Sequence, residues 1–417
     1  MESNNINEIV GYFRSGYKNN SKNYIGLELE HFIVDKATGK NIDYFGECGI
    51  EEILKALIPY FEDTIMSHGH IIGLKNKYMN ITLEPGAQIE ISITQQKRLT
   101  DTARIYNEFY SIIDPVLSVQ KYKMITMGYM PRSRVDELNI IPKDRYKYMD
   151  IYFGNTGKCG KNMMKGTAAT QVSIDYSSEK EFKIKYRVAS ILAPILSLMT
   201  DNSPVFEDGL YPKNMLRQYI WENVDCDRTM TVQSLDDPDF GFEQYAGFVY
   251  GIPQILFSGA GNDFYDKEKH LPRNIYAGRK VDKNDIELIL SMVFPDVRLK
   301  TYIEIRVADS MPIEYVISYM ALIKGLFMDT DRLELLIGQL NPVKVADIRL
   351  ARQELIDKGF DGIIYGMDVK SIIRKMYDLA EFQLDADEKG YLKTLRDIIY
   401  GNKTLAQVYK SKIGRCT

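Results

Sequence analysis

Four short stretches constrain the fold of this chain more than any other feature. Leu27-Glu28-Leu29-Glu30, Gln88-Ile89-Glu90-Ile91, Gln171-Val172-Ser173-Ile174-Asp175 and Ile303-Glu304-Ile305-Arg306 all alternate apolar with ionic, amide or hydroxyl side chains. Alternation at spacing two belongs to a strand with one greasy and one polar face. A half-buried strand with a solvated outer face has the same signature, so any single pair is weak evidence for a site. Four such strands from distant parts of the chain carry more weight. If their polar faces line one side of a single sheet, several carboxylates converge, and like charges that close cannot all stay ionised without a cation. A hard divalent ion such as magnesium takes carboxylate and amide oxygens and leaves positions open to phosphate.

Between these strands the apolar spacing becomes helical. Ile53, Leu54, Leu57 and Ile58 share one side of a helix over 50–61, and Ile105, Phe109, Ile112 and Ile113 share one over 100–119. A short helix is expected in the first twenty residues around Ile9, Val10 and Phe13, and a long one over 181–199 that stops before Asn202-Ser203-Pro204. Glu84-Pro85-Gly86-Ala87 bends the chain between extended segments 78–83 and 88–93. Beyond Pro312 the spacing is helical nearly to the end, with turns near Asn341-Pro342 and within 359–366. The order lacks the regular βαβ alternation of a doubly wound parallel sheet.

Composition narrows the function classes. The 417 residues are 45% hydrophobic and 26% charged, which suits a folded chain with a large core. With 53 Lys and Arg against 57 Asp and Glu, there is no large basic field for nucleic acid or anionic lipid. Met1 to Asn20 has no continuous apolar segment, and no later run approaches the ~20 apolar residues of a membrane span, so a cytoplasmic location is expected. Cys48, Cys159, Cys226 and Cys416 form no CxxC pair and read as reduced thiols. No GxxxxGK[ST] or GxGxxG motif is present. Ser258-Gly259-Ala260-Gly261-Asn262 reads as a flexible turn and His68-Gly69-His70 as a surface loop, while Arg145 in Arg145-Tyr146-Lys147-Tyr148 is a candidate small-anion contact.

Leu83-Glu84-Pro85-Gly86-Ala87-Gln88-Ile89-Glu90-Ile91-Ser92 resembles the LEPGGQxELS signature of plant-type glutamate–cysteine ligases. Further blocks follow in the family's order: Pro142 to Met149, Met163-Met164 leading into Thr167 to Asp175, Asn202-Ser203-Pro204, Ile220-Trp221 with Asp227-Arg228-Thr229, Phe240 to Tyr245, and Phe294 to Lys300 with Tyr302 to Arg306. An ordered series spanning roughly residues 24 to 330 is more specific than a lone motif.

The resemblance implies an α+β, glutamine-synthetase-like fold: a curved antiparallel sheet backed by helices, with a catalytic core over 1–330 and a helical C-terminal region over 331–417 packed on it. It implies magnesium ligands at Glu28, Glu30, Glu90 and Glu304, with Gln171 and Glu84 less central. Arg306 and Arg145 would contact phosphate or a substrate carboxylate. Arg217 and Arg228 would hold the glutamate α-carboxylate, a task the planar guanidinium fork suits. Trp221 and Tyr245 would shape the amine-side pocket, although core packing is an equal expectation for Trp221. The chain departs from the family pattern at Ser173 (commonly Asn), Asp201 (commonly Ala) and Ala87 (commonly Gly).

The implied reaction joins glutamate to cysteine with ATP through an acyl phosphate, with Arg306 stabilising charge and Glu84 a candidate proton acceptor. Two alternatives stand beside it: a ligase of the same kind that uses a different amine, and a non-catalytic binding protein of the same fold. The expected partners are small molecules, with the chain a monomer or homodimer.

Overall fold

The computed structural model describes residues 2–18, 24–256 and 268–413. In chain order the elements are α1 (Glu2–Arg14), β1 (Ile25–Asp35), α2 (Ile50–Leu57), β2 (Asp63–Ser67), β3 (His70–Lys75), β4 (Met79–Leu83), β5 (Ile89–Gln96), α3 (Leu99–Val119), β6 (Tyr122–Ile125), α4 (Asp144–Gly154), β7 (Ala169–Ile174) and α5 (Glu179–Met199). They continue with α6 (Leu216–Glu222), α7 (Phe242–Tyr250), α8 (Lys283–Leu290), β8 (Val297–Leu299), β9 (Ile303–Asp309), α9 (Ile313–Leu326), α10 (Thr330–Ile337), α11 (Val345–Lys358), α12 (Val369–Gln383), α13 (Lys393–Gly401) and α14 (Leu405–Ile413). The glycine-rich turn at 258–262 and Cys416 lie outside the described residues.

The nine strands form one sheet in the order β8-β9-β7-β1-β5-β4-β3-β2, with β6 pairing the far end of β1. Every neighbouring pair is antiparallel. β2 to β5 run as consecutive hairpins, so short turns suffice there. The β2–β3 turn places His68 and Gly69 at φ 50° and 82°, the left-handed pair that matches strand twist in a two-residue hairpin. This hairpin escapes sequence reading because all but the last residue of β2 are exposed, leaving no apolar alternation to detect.

The alternation read from sequence sorts onto the two faces. Leu27, Leu29, Ile89, Ile91, Val172, Ile303 and Ile305 are all buried on one side, where α3, α5 and α9 cover the sheet. From Val316 to Leu326 every residue of α9 is buried, as expected of a helix enclosed on all sides. The helices α10 and α11 pack against α5, and α12 and α13 against α9, so the C-terminal helices form a layer outside those that touch the sheet.

The Glu84-to-Ala87 bend is a tight turn closed by the Ala87 amide donating to the Glu84 carbonyl at 2.9 Å. Ala87 sits at φ 65°, a left-handed position where a side chain costs roughly 1 kcal/mol. Gly86 is required for a different reason, because a Cβ there would lie 2.7 Å from the Lys165 carbonyl oxygen. Gly86→Ala should therefore destabilise the protein by about 1–3 kcal/mol. Ala87→Gly should be neutral or stabilising by up to about 1 kcal/mol, strain relief being offset in part by unfolded-state entropy. Urea denaturation midpoints check both signs; a destabilising Ala87→Gly would contradict this account of the turn.

Candidate active site

The polar face of the sheet is a grid of opposed side chains. Arg298, Glu304 and Ser173 face one another across β8, β9 and β7; Gln171, Glu28, Ser92 and Asn80 across β7, β1, β5 and β4; and Glu30, Glu90 and Thr82 across β1, β5 and β4. A cavity of about 500 Å³ lies over this grid, and Glu28, Glu30, Glu84, Glu90, Gln171, Arg298, Lys300 and Arg306 all line it. Opposite the sheet, Arg145, Tyr146 and Met149 of α4, Arg217 and Trp221 of α6, and the Ser291 to Phe294 segment supply the remaining walls.

Its carboxylates fall into two electrostatic classes. Glu304 is fully buried and accepts from Arg298 Nε at 2.7 Å, Lys300 Nζ at 3.1 Å and an Arg306 terminal nitrogen at 2.8 Å. Burial works against its charge, yet the three cations hold its carboxyl well below the usual carboxylate range. Glu28, Glu30 and Glu90 make no direct ion pair, and the more distant Lys300, Arg298 and Arg217 offset their burial only in part. Burial pushes Glu28 up to about 7, with Glu90 and Glu304 adding repulsion. Burial followed by Glu84 and Glu90 raises Glu30 well above its ordinary value, and burial with Glu84 raises Glu90. The demand for an added cation thus falls on three acids and not on the fourth.

Hydrogen bonds fix two of those three. Glu30 accepts from the Ala169 amide at 2.8 Å and from Gln171 Nε2 at 3.2 Å, while Glu90 accepts from Thr82 Oγ1 at 2.7 Å and Ser92 Oγ at 3.3 Å. The Gln171 amide spans the two charge classes, since its oxygen accepts from Arg306 as its nitrogen donates to Glu30. Oxygen-only donors of this kind suit magnesium. No three of these acids bring ligand oxygens within 4.8 Å of one another, so an ion held here would keep water or phosphate oxygens in its shell.

The other expected residues divide cleanly. Glu84 lines the cavity and accepts from the Tyr146 hydroxyl at 3.4 Å. Arg145 donates to the Ser291 carbonyl, and Trp221 lies against Phe294 with ring centroids 5.9 Å apart. Arg217 and Arg306 also reach the cavity.

Arg228 and Tyr245 do not reach it, contrary to the substrate contacts that the family resemblance implies. Arg228 is fully buried behind the wall. It donates from Nε to Asp225 at 2.6 Å and from its terminal nitrogens to the Met292 carbonyl at 3.1 Å and the Tyr152 hydroxyl at 2.9 Å. It holds up the segment that forms the wall, and each of its three nitrogens is engaged there, away from the cavity. Tyr245 is buried between Phe13 and Tyr186, and its hydroxyl accepts from the Leu299 amide at 3.0 Å, bracing β8 from behind.

Arg298 and Lys300 belong to the site although neither was singled out in the sequence. A signal exists: residues 298, 300, 302, 304 and 306 share parity across the short β8–β9 connection, and all except Glu304 line the cavity beside it.

The antiparallel sheet backed by helices is similar to the fold of a solved ligase. A solved glutamate–cysteine ligase from Francisella tularensis, determined in complex with AMP, matches with a TM-score of 0.59 at 9% identity, over 94% of this chain and 84% of that one. Residues 24–396 match glutamate-cysteine ligase family 2, and the chain belongs to that family. It is 29% identical over 411 residues to the chloroplastic glutamate–cysteine ligase of Arabidopsis thaliana, covering 96% of this chain and 78% of the relative. The chloroplastic enzyme of Brassica juncea is likewise 29% identical, with 79% of its length covered. These names overturn the cytoplasmic location expected from sequence: relatives sharing nearly the whole chain are chloroplastic proteins, so the polar character of residues 1–20 does not support a cytoplasmic assignment.

With burial pushing the Glu28 carboxyl up to about 7, a magnesium ion placed beside it would have to displace a proton below that pH. Magnesium affinity should rise as pH increases through about 7, with protons released on binding near pH 6.5. Calorimetry in two buffers of different ionisation enthalpy reads both effects; metal binding with no proton release would show that Glu28 is not part of the ion's environment.

Proposed function

We propose that this chain is a glutamate–cysteine ligase with a glutamine-synthetase-like core, forming γ-glutamylcysteine from glutamate, cysteine and ATP. The observation that carries this reading is the division of one cavity between three acids without a direct ion pair and a neighbouring group of cations paired to Glu304. Magnesium, when bound, would supply positive charge to the nucleotide phosphates. Glu28, Glu30 and Glu90 are the residues that would hold it, with Gln171 at the edge of that set. Glu304 already neutralises three cations, two on one oxygen and Lys300 on the other, so it would contribute at most its less occupied oxygen to an ion.

The chemistry asked of this chain is positioning and charge neutralisation. An oxygen of the glutamate γ-carboxylate attacks the terminal phosphorus of ATP and ADP leaves. The amine nitrogen then attacks the acyl carbon, phosphate leaves, and the nitrogen loses a proton. Arg306, Lys300 and Arg298 supply positive charge where phosphoryl oxygens gain negative charge. Arg217 and Arg145 offer guanidinium groups to the amino-acid carboxylate, and Glu84 offers a carboxylate oxygen for the amine proton. Trp221 with Phe294 forms an apolar wall against which an acceptor side chain packs.

A second reading keeps the activated carboxylate and changes the acceptor amine. It is favoured by Ser173, which occupies a position on the polar face opposite Glu304 where the family pattern commonly has Asn.

ADP release with ATP, magnesium and glutamate, measured across a panel of amines, separates the two. The expected outcome is turnover dependent on cysteine, and equal rates with unrelated amines would favour the second reading. Arg306→Ala should lower kcat/KM by roughly 10²-fold or more, the usual scale for removing one charge-stabilising donor. Glu90→Gln should weaken magnesium dependence while leaving the fold intact by circular dichroism.

A further inference from the structure

Asn202-Ser203-Pro204 follows α5, outside the cavity lining, and nothing above gives it a task. It leads to Asp309, the last residue of β9. One Asp309 oxygen accepts from Ser203 Oγ at 2.6 Å and from the Asn202 amide at 2.8 Å, and the other faces an Arg217 terminal nitrogen at 3.4 Å. Asp309 and Arg217 are each 4% exposed and Ser203 1%, so the chain of contacts lies out of solvent.

The backbone is shaped for this contact. The β9–β7 register slips between Ile305 and Ala308, and bulges of this kind re-aim groups beside sites. The carbonyls of Val307 and Ala308 accept from the same Arg217 nitrogen at 3.4 and 3.0 Å. One terminal nitrogen of Arg217 is thus tied back three times. Its Nε is buried without a partner, and the second terminal nitrogen makes no hydrogen bond among the described residues. These two nitrogens form the side-on edge of a guanidinium, the edge that meets a carboxylate with two parallel hydrogen bonds. Gly128 completes the packing: a Cβ there would fall 2.2 Å from Ser203 Oγ and 2.3 Å from the Asp309 carboxylate.

We propose that Asp309, anchored by Asn202 and Ser203, is the positioning residue that turns the free edge of Arg217 toward the carboxylate of the amino-acid substrate. This rests on the reading above that Arg217 takes that carboxylate. Removing Asp309's charge would leave Arg217 in the cavity wall but free to rotate about its remaining carbonyl contacts. Glutamate binding would then suffer, while ATP handling at the Arg298, Lys300 and Arg306 cluster would not.

Steady-state kinetics of Asp309→Asn, Ser203→Ala, Arg217→Ala and the double variant Asp309→Asn/Arg217→Ala, with glutamate and ATP varied separately, test this. Asp309→Asn should raise the KM for glutamate by about tenfold or more, the scale of one charge-assisted hydrogen bond, with the KM for ATP within about twofold. Ser203→Ala should move the same parameter in the same direction by less, and it serves as the deciding variant if Asp309→Asn fails to fold. The double variant should be little worse than Arg217→Ala alone, since the two residues act through one contact. If Arg217→Ala leaves the glutamate KM unchanged, the carboxylate reading of Arg217 falls and this inference with it. If Arg217→Ala raises that KM while Asp309→Asn and Ser203→Ala do not, or if the effects multiply independently, the positioning role alone is overturned.

Discussion

The rest of the site follows from gathering four glutamates, two buried and two half-buried, on one face of a sheet. A carboxylate removed from water needs opposite charge or several donors, or it gives up its own charge. The chain uses different answers within one cavity. Glu304 is matched by Arg298, Lys300 and Arg306, whereas Glu28, Glu30 and Glu90 are left with hydroxyl, amide and backbone contacts and raised proton affinities. Matching every acid with a lysine or arginine, as at Glu304, would have filled the site. Leaving three acids without an ion pair leaves room there for a cation that would bring its own ligands.

That arrangement demands a rigid register. Because side chains alternate along a strand, a one-residue slip of β1 against β5 would send Glu28 and Glu30 into the helical layer and Leu27 and Leu29 into the cavity. The greasy face prevents this. Leu29 and Ile91, directly opposed on that face and fully buried, can be exchanged for their charged neighbours only at prohibitive cost. The outer C-terminal helices add to the same end, since they enclose α5 and α9, whose burial keeps the sheet's apolar face dry.

Much of this was legible in residue order. Period-two alternation in β1, β5, β7 and β9 correctly assigned both faces of the central strands, because a strand buried on one side has to write that fact into its sequence. β2 and β8 were not legible for opposite reasons: β2 is exposed along nearly all its length, and β8 is three residues long and wholly buried. At the site, the strand acids and the helical Arg145, Arg217 and Trp221 line one cavity, whereas Arg228, in a turn, and Tyr245, on α7, do not. Family blocks bring Arg228 and Tyr245 near the cavity, but proximity does not decide on which side of a wall a side chain lies. Arg228 turns to Asp225 and Tyr152, and Tyr245 to Leu299, because those partners satisfy every polar atom these buried groups carry.

The segment behind Arg217 shows how the outer layer reaches the chemistry. Asp201, one residue before the Asn202-Ser203 pair, accepts from Thr404 Oγ1 at 3.3 Å through its carboxylate and from the Ala406 amide at 3.0 Å through its carbonyl. Both donors belong to the start of α14, so the C-terminal helix is fastened to the very segment that grips Asp309. A continuous series of contacts thus runs from that helix through Asp201, Asn202 with Ser203, and Asp309 to Arg217. Sites built on a sheet gain precision from the register, and those built on a wall opposite it must borrow precision from what lies behind.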